Sequence, residues 1–329
     1  MQLWNRIFNC PQISVLIPAY NRPTELRLCL EGFAEQTIAR KNFEVVVVDD
    51  GSTADLASVA ADFRETVNIR FARSPHGGPS TARNRGLKLC RAPLLLLYDD
   101  DLRPNPDLID YCLEFHRRHR TERDMALLNF GPDSSVVDSP FLRWAFMRMY
   151  QFPREEMVGD WRLFWSGTIT CKRSVFRYGL FDPHYMMLED AELGLRLSRR
   201  LDYRIHFEPT LRGTFTRRIT PQQFYRRQYT SGYFTHIFAK DYRGAVDFAH
   251  PPYDEPEKYM IGESKDLATL IASARGLERA CPIKGQPPNV LRSLWSKADV
   301  HVRANGWMAA RDGRPAEPPG TIGPLLEAC

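Results

Sequence analysis

The chain has 329 residues, 43% of them hydrophobic and 12% aromatic, ample for a core of ordinary size. That composition excludes intrinsic disorder, a collagen-like rod and a disulfide-stapled miniprotein, and the length predicts one large domain or a domain with an extension. The 45 Lys and Arg against 40 Asp and Glu leave a charge of +5, too mild an excess for a protein that lives on nucleic-acid phosphates.

The first hundred residues alternate short apolar runs with helical patterns. Ile13 to Ile17 reads as a strand, followed by the turn Pro18-Ala-Tyr-Asn-Arg-Pro23. From Thr24 to Thr37 the apolar residues Leu26, Cys29, Leu30 and Phe33 fall at helical spacing. Phe43 to Val48 is an unbroken, β-branched strand of the kind covered on both faces, and it stops at Asp49-Asp50-Gly51-Ser52-Thr53. A helix to about Asp62, a strand from Asn68 to Ala72 and a helix from Ser80 to Cys90 follow. Leu94 to Tyr98 is a fourth strand, ending abruptly at Asp99-Asp100-Asp101. This rhythm predicts an α/β fold, a mostly parallel central sheet with helices on both faces.

The middle is less regular. Phe141 to Tyr150 reads as helical, and the stretch from Trp161 to Thr170 as carrying a strand. Leu188 to Leu201 is a helix, Tyr203 to Phe207 a strand, and Pro221 to Lys240 a long aromatic and basic helix. After about Asp247, proline-rich punctuation (HPPYDEPEKY, GQPPN, RDGRPAEPPG) surrounds one or two helices. The expected division is a domain over 1–246 and a helical, proline-rich extension over 247–329.

Seven cysteines with no CxxC pair suit neither a structural zinc site nor a disulfide framework. Reduced thiols and a cytoplasmic location are the expectation, with at most peripheral contact at the inner face of a membrane. The N-terminal MQLWNRIFNCPQ lacks a signal peptide's apolar stretch. No run reaches the ~18 apolar residues of a membrane span.

In a parallel α/β sheet, ligands gather outside the carboxyl ends of the strands. Tyr20-Asn21-Arg22, Asp49-Asp50 and Asp99-Asp100-Asp101 all stand at such ends. Three consecutive carboxylates repel one another unless a cation lies beside them. A hard divalent ion shared with a phosphate accounts for them, and so does a solvated turn or a set of helix caps. His76-Gly77-Gly78 before a helix start could let backbone amides approach an anion with help from Arg83, or it is a plain glycine turn. Neither GxGxxG nor GxxxxGK[ST] is present. Glu189 and Asp190 open a helix, where the macrodipole keeps carboxylates ionised. Either one is a candidate general base, or both are ordinary first-turn acids.

The arrangement as a whole resembles the large inverting glycosyltransferase family with the GT-A fold, often called family 2. The matching segments are ISVLIPAYNRP (13–23), FEVVVVDDGSTAD (43–55), GGPSTARNRGL (77–87), LLLLYDDDLRPNPDLI (94–109), SGTITCKRSVFRYGLFD (166–182) and LEDAELGLRL (188–197), in order across residues 12–240. The resemblance implies that Pro18, Tyr20, Asn21 and Asp50 hold a nucleotide's base and ribose. Arg83 and Asn84 would line the nucleotide pocket. Asp99, Asp100 and Asp101 match the DxD motif, with Asp99 and Asp101 on Mn²⁺ or Mg²⁺ and Asp99 and Asp100 beside the nucleotide sugar. Asp190 matches the catalytic base. Glu189, Trp165, Arg217 and Arg226 are further candidates for diphosphate or acceptor contacts. Trp165 serves equally well as core packing, and Arg217, Arg218, Arg226 and Arg227 as a solvated helix face or a membrane-docking patch.

Two departures stand out. The histidine that many members carry after the strand following the base helix is missing, since His206 lies earlier, inside that strand. Gln223-Phe-Tyr-Arg226-Arg227 lacks the tryptophan of the processive synthases' QxxRW. The implied function is metal-dependent inverting transfer of one sugar from a UDP- or dTDP-sugar to a glycan or lipid-linked acceptor, in surface polysaccharide biosynthesis. The alternatives are an inactive nucleotide-sugar-binding scaffold and a sugar nucleotidyltransferase. No nucleic-acid partner is expected.

Overall fold

The apolar runs at 13–17, 43–48, 68–72 and 94–98 become β1 (Ile13–Ala19), β2 (Phe43–Asp49), β3 (Ile69–Arg73) and β4 (Leu94–Tyr98). The computed structural model describes residues 10–150, 157–158, 160–244, 255–259, 274 and 288–316. Between these strands run helices α1 (Pro23–Ala34), α2 (Leu56–Ala61) and α3 (Gly78–Leu89). Every residue of β2 is buried, as its run of valines requires in a sheet covered on both faces.

The chain continues through β5 (Leu102–Pro104), α4 (Leu108–Arg118), β6 (Asp124–Pro132), α5 (Pro140–Met149) and β7 (Met157–Val158). It closes with β8 (Thr168–Lys172), α6 (Glu189–Ser198), β9 (Arg204–Phe215), α7 (Pro221–Asp241) and α8 (Asn289–Arg311). The described strands form one nine-stranded sheet in the order β3-β2-β1-β4-β8-β6-β9-β5, with β7 on β9. The β3-β2-β1-β4 half is parallel throughout. Beyond it β8 runs antiparallel to β4 and β6, while β6 and β9 are parallel. Sequence order reverses between β1 and β4, which opens a crevice at their carboxyl ends, where open α/β sheets bind ligands.

Four elements exceed what the spacing defines: β5, α4, β6 and β7. Helix α4 buries Leu108, Ile109, Cys112 and Phe115, one stripe at helical spacing. Strand β9 runs past Phe207, where the sequence suggests an end, through Pro209 to Phe215. The ladder with β6 shifts register at Leu128/Asn129 and Asn129/Gly131, and Asn129 Nδ2 donates to the Pro209 carbonyl at 2.8 Å. A bulge of this kind lets a strand absorb a proline.

By contacts the chain divides into two compact units, 1–133 with 152–217, and 134–151 with 218–329. The first contains the sheet. One of its apolar layers joins Leu16, Val46, Val48, Leu95 and Leu97 to Ala82 and Leu87 of α3 and to Leu193 and Leu197 of α6. Each fully buried Leu or Val of this kind stabilises by ~1.5–3 kcal/mol relative to exposure. The second unit packs α5, α7 and α8 around Phe141, Phe224, Tyr225 and Trp295. Helix α7 starts with a capping box between Thr220 and Gln223 and has Pro221 in its first turn. Of the expected extension, residues 255–259, 274 and 288–316 are described and belong to this second unit, as does α7.

Candidate active site

Loops leave the carboxyl edge of the parallel half after β1, β2 and β4, and Tyr20, Asn21, Asp50, Asp99, Asp100 and Asp101 of the expected site residues fall in them. Arg22, just past β1, donates from Nη1 to Asp100 Oδ1 at 2.6 Å and to Asp101 Oδ2 at 3.1 Å. It therefore ties the β1 end to the β4 end across the crevice. Arg217, two residues past β9, stands 3.9 Å from the same Asp101 oxygen. Burial pulls the Arg22 guanidinium down, but Asp100 and Asp101 outweigh it and hold it firmly charged. Burial pushes the Asp100 carboxyl up to about 7, against the pull of Arg22.

Arg83, on α3 and only 4% exposed, joins two further elements. Its Nη1 donates to Glu189 Oε1 at 2.7 Å and its Nη2 to Asp99 Oδ1 at 3.0 Å. The Asp99 carboxylate can take its place because residue 167 is glycine: a Cβ there would lie 2.5 Å from Asp99 Oδ2. Glu189 and Asp190 open α6 behind Leu188, a non-glycine residue held at φ +65°. That left-handed conformation costs leucine roughly 1–2 kcal/mol, strain of the sort that sites retain. Burial, then the neighbouring Asp190 charge, push Glu189 up to about 7. Burial likewise raises Asp190, against Arg83 and the backbone N–H groups of Ala191 and Ser166 that its carboxylate accepts.

The β2 end is built differently. Asp50 accepts Gly77 N–H and Gly78 N–H, one on each carboxylate oxygen and both at 2.9 Å, and Oδ2 also meets His76 Nδ1 at 2.8 Å. The glycine loop thus wraps a carboxylate of this chain. Gly78, at φ +81°, also passes so close to Met186 that a Cβ would meet its sulfur at 2.5 Å. The Tyr20 ring stacks on His76 at 4.3 Å between centroids, and 41% of Tyr20 is exposed. Half-buried Pro18 lies in β1 beside Val48.

Asn21 and Asn84 fasten loops. Asn21 Oδ1 accepts Thr53 N–H, the Thr53 hydroxyl and Ala54 N–H, at 2.8, 3.0 and 3.2 Å. Asn84 exchanges both ends of its amide with the Phe181 backbone, at 2.7 and 3.0 Å. Trp165 is half-buried against the sheet core, and its indole N–H donates to the Arg162 carbonyl at 2.8 Å. Arg226 lies exposed on α7, in the second unit. Arg22 and His76 figure in the sequence only as members of turns, yet they are the side-chain partners of Asp100, Asp101 and Asp50. Nothing in the sequence marks them beyond their position at strand ends.

Arg83 Nε, Asp100 Oδ2, Ser166 Oγ and Thr168 Oγ1 are buried without a hydrogen-bond partner among the described residues. Orphaned polar atoms cost ~1–3 kcal/mol each unless a ligand or water meets them. Hard carboxylate oxygens from Asp99 and Asp101, with phosphate oxygens completing the shell, suit Mg²⁺ or Mn²⁺, so the donor set fits such an ion. The three aspartates do not themselves close on one point. Among the described residues, the group of three whose ligand atoms all lie within 4.8 Å of one another is His119, Asp124 and His206.

Residues 14–181, just over half of the chain, match glycosyl transferase family 2. The chain belongs to that family. The match takes in Asp50, Arg83, Asp99, Asp101 and Gly167, and ends before Asp190. Validoxylamine A glucosyltransferase from Streptomyces hygroscopicus subsp. jinggangensis (strain 5008) is 30% identical over 216 residues, covering 57% of this chain and 51% of its own. Hyaluronan synthase from Pasteurella multocida is 35% identical over 224 residues, covering 57% of this chain and 23% of its own. The family 2 chain therefore spans about half the length of the first relative and about a quarter of the second. Among solved structures, mannosyltransferase PcManGT from Pyrobaculum calidifontis, in complex with GDP-Man and Mn²⁺, has a TM-score of 0.58 at 18% identity, covering 93% of this chain and 88% of its own. S. aureus TarS 1-349 in complex with UDP has a TM-score of 0.52 at 16% identity, covering 92% of each chain. These likenesses establish the GT-A fold. Among the described residues no helix is long and apolar enough to cross a membrane.

Proposed function

We propose that this chain transfers a single sugar, with inversion, from a UDP- or dTDP-sugar to a hydroxyl of a glycan or lipid-linked acceptor, in the building of a surface polysaccharide. The observation that carries the reading is the Arg83 bridge. One buried guanidinium holds Asp99 at the end of β4 and Glu189 at the start of α6. The two acidic clusters that this chemistry needs therefore belong to one site, with Asp190 beside them.

The residues divide the task. Tyr20, His76 and Asp50, backed by Pro18 and the Asn21 clamp, form a ring-and-carboxylate corner suited to a base and ribose. Asn84 keeps α3 in register with the Phe181 loop, so that Arg83 keeps its aim. Asp190 takes the proton from the acceptor hydroxyl as its oxygen attacks the anomeric carbon from the face opposite the leaving group. Its raised pKa makes it a stronger base than an ordinary aspartate, and a single displacement inverts the centre. Asp99 and Asp101 would hold Mn²⁺ or Mg²⁺, which when bound neutralises negative charge on the departing nucleoside diphosphate. Arg22 and Arg217 stand beside Asp101, and Asp100 answers Arg22. Arg217 and Trp165 supply further diphosphate or acceptor contacts. The relatives' names, a glucosyltransferase and a polysaccharide synthase, support this substrate class.

The domain doing this work is proposed to extend to about residue 246, with 247–329 as an extension. We place the protein in the cytoplasm, with Arg226 and Arg227 exposed on α7 for peripheral contact with anionic lipid. Unchanged flotation with anionic vesicles after both are neutralised would remove that last point.

Asp190→Asn tests the reading. The variant should keep its affinity for nucleotide sugar and lose turnover by ~10²–10⁴-fold, the range of general-base contributions. Turnover at the wild-type rate would move the base elsewhere. Donor binding without turnover in the wild type, across acceptors, would favour a binding scaffold.

A further inference from the structure

We propose that His119, Asp124 and His206 form a binding site for a transition-metal cation of the Zn²⁺ type, separate from the aspartates after β4. His119 caps the C-terminal end of α4, Asp124 opens β6 and His206 is the third residue of β9. Three elements far apart in sequence thus bring two imidazoles and a carboxylate to one place. Their ligand atoms lie within 4.8 Å of one another, and His206 Nε2 stands 3.1 Å from Asp124 Oδ1. Around a cation with bonds of ~2.1 Å, neighbouring ligand atoms are roughly 3.4 Å apart in a tetrahedron, so that pair is already in place. The remaining ligand atoms lie within 4.8 Å, so closing on a cation takes a small inward shift of the half-buried His119.

The surroundings are those of a held site. The second oxygen of Asp124 accepts the Thr121 hydroxyl at 2.6 Å, which fixes the carboxylate as outer partners fix metal ligands. Phe115 stacks on His119 at 4.5 Å and meets the edge of His206 at 5.3 Å, restricting both rings. Two imidazoles with one carboxylate suit Zn²⁺ and its neighbours in the series better than Mg²⁺ or Ca²⁺, which prefer oxygen. Three protein ligands leave a fourth position for water or an exogenous group.

His116 does not complete the set. Its Nε2 faces the Thr170 hydroxyl at 2.9 Å, and its Nδ1 faces Lys172 Nζ at 3.3 Å. Lys172 also donates to the His119 carbonyl at 2.6 Å. This ammonium stands beside the group and works against a bound metal.

The site is remote from the proposed chemistry. Asp124 comes two residues before Ala126, which pairs with Thr170, itself opposite Leu96, three residues before Asp99. Five residue steps at 3.3 Å each put the two ends ~16 Å apart along the strands. A cation at the far edge would fasten α4 to β6 and β9 and stabilise the folded unit without touching the donor.

The test is titration of the full chain with Zn²⁺ after EDTA treatment and dialysis, read by calorimetry and by metal content. Wild type and Asp101→Ala should each bind one equivalent at this site, and thermal unfolding should shift upward with Zn²⁺. His119→Gln and His206→Gln should weaken binding by ~100-fold or more with unchanged far-ultraviolet circular dichroism. Thr121→Val should weaken it by ~10-fold, as outer partners do. Lys172→Met should tighten it several-fold. No stoichiometric Zn²⁺ in the wild type, or binding indifferent to both histidine substitutions, would overturn the proposal.

Discussion

Replacing Arg83 with methionine removes the one guanidinium that Asp99 and Glu189 share, while keeping a side chain of similar length against Phe181. Arg83 is 4% exposed and Glu189 9% exposed, with ion-pair distances of 2.7 Å to Glu189 and 3.0 Å to Asp99. Taking one partner out of a buried pair costs ~3–5 kcal/mol, because the other charge stays buried. The Asp99 side chain is 40% exposed and rehydrates, so the penalty rests mainly on Glu189 and should fall at the lower end, ~3 kcal/mol. That is roughly a hundredfold in the folding equilibrium. Glu189 is a carboxyl whose folded pKa lies above its unfolded value, at about 7 against 4.5. Such a group binds more protons when folded, so its destabilising effect is full above about 7 and vanishes as pH falls through the window to 4.5. Removing Arg83 widens that window upward. Urea unfolding at pH 8.5 and pH 5 of wild type, Arg83→Met, Glu189→Gln and the double variant measures the effect. The double-mutant cycle should give a coupling of ~1.5–3 kcal/mol at the higher pH and much less at the lower. Additivity within ~0.3 kcal/mol at pH 8.5 would refute the shared-guanidinium account.

Two further outcomes follow from the same geometry. Because burial raises Asp190, the acid limb of kcat/KM should lie above the ordinary aspartate range, and Asp190→Glu should move it; a limb at an ordinary carboxylate value would show that another group supplies the base. Gly167→Ala places a methyl 2.5 Å from Asp99 Oδ2 and must displace that carboxylate. Its Mn²⁺ requirement should rise about tenfold or more with little loss of stability, since ligand position governs metal affinity, and an unchanged Mn²⁺ response would remove Asp99 from the metal's shell.

The parallel half of the sheet was legible because β-branched runs such as 45–48 and leucine runs such as 94–97 have few alternatives to a buried strand. The strand-end positions of Asp50 and Asp99 follow directly from it. What periodicity left undefined was the antiparallel half. Strand β9 absorbs Pro209 only through a bulge whose partner, Asn129, lies 80 residues earlier. Helix α4 carries its apolar stripe plainly, but the polar run His116, Arg117 and Arg118 close behind it blurs its end.

Within the site, the acidic residues announced themselves and their partners did not. Nothing local tells that Arg22 reaches across to Asp100 and Asp101, or that Arg83 spans from Asp99 to Glu189, because those pairings exist only once β1, β4, α3 and α6 are assembled. The same is true of His119, Asp124 and His206, which no ligand spacing connects. Asn21 and Asn84 show the converse: their positions resemble a nucleotide pocket, and their amides are held by Thr53, Ala54 and Phe181.

The most direct test of the whole account is donor hydrolysis and binding across a panel of nucleotide sugars, with Mn²⁺ and then with EDTA. One donor, with a UDP or dTDP carrier, should be bound and slowly hydrolysed only when the metal is present. A folded protein that binds no nucleotide sugar under either condition would contradict it and leave a resemblance of fold alone.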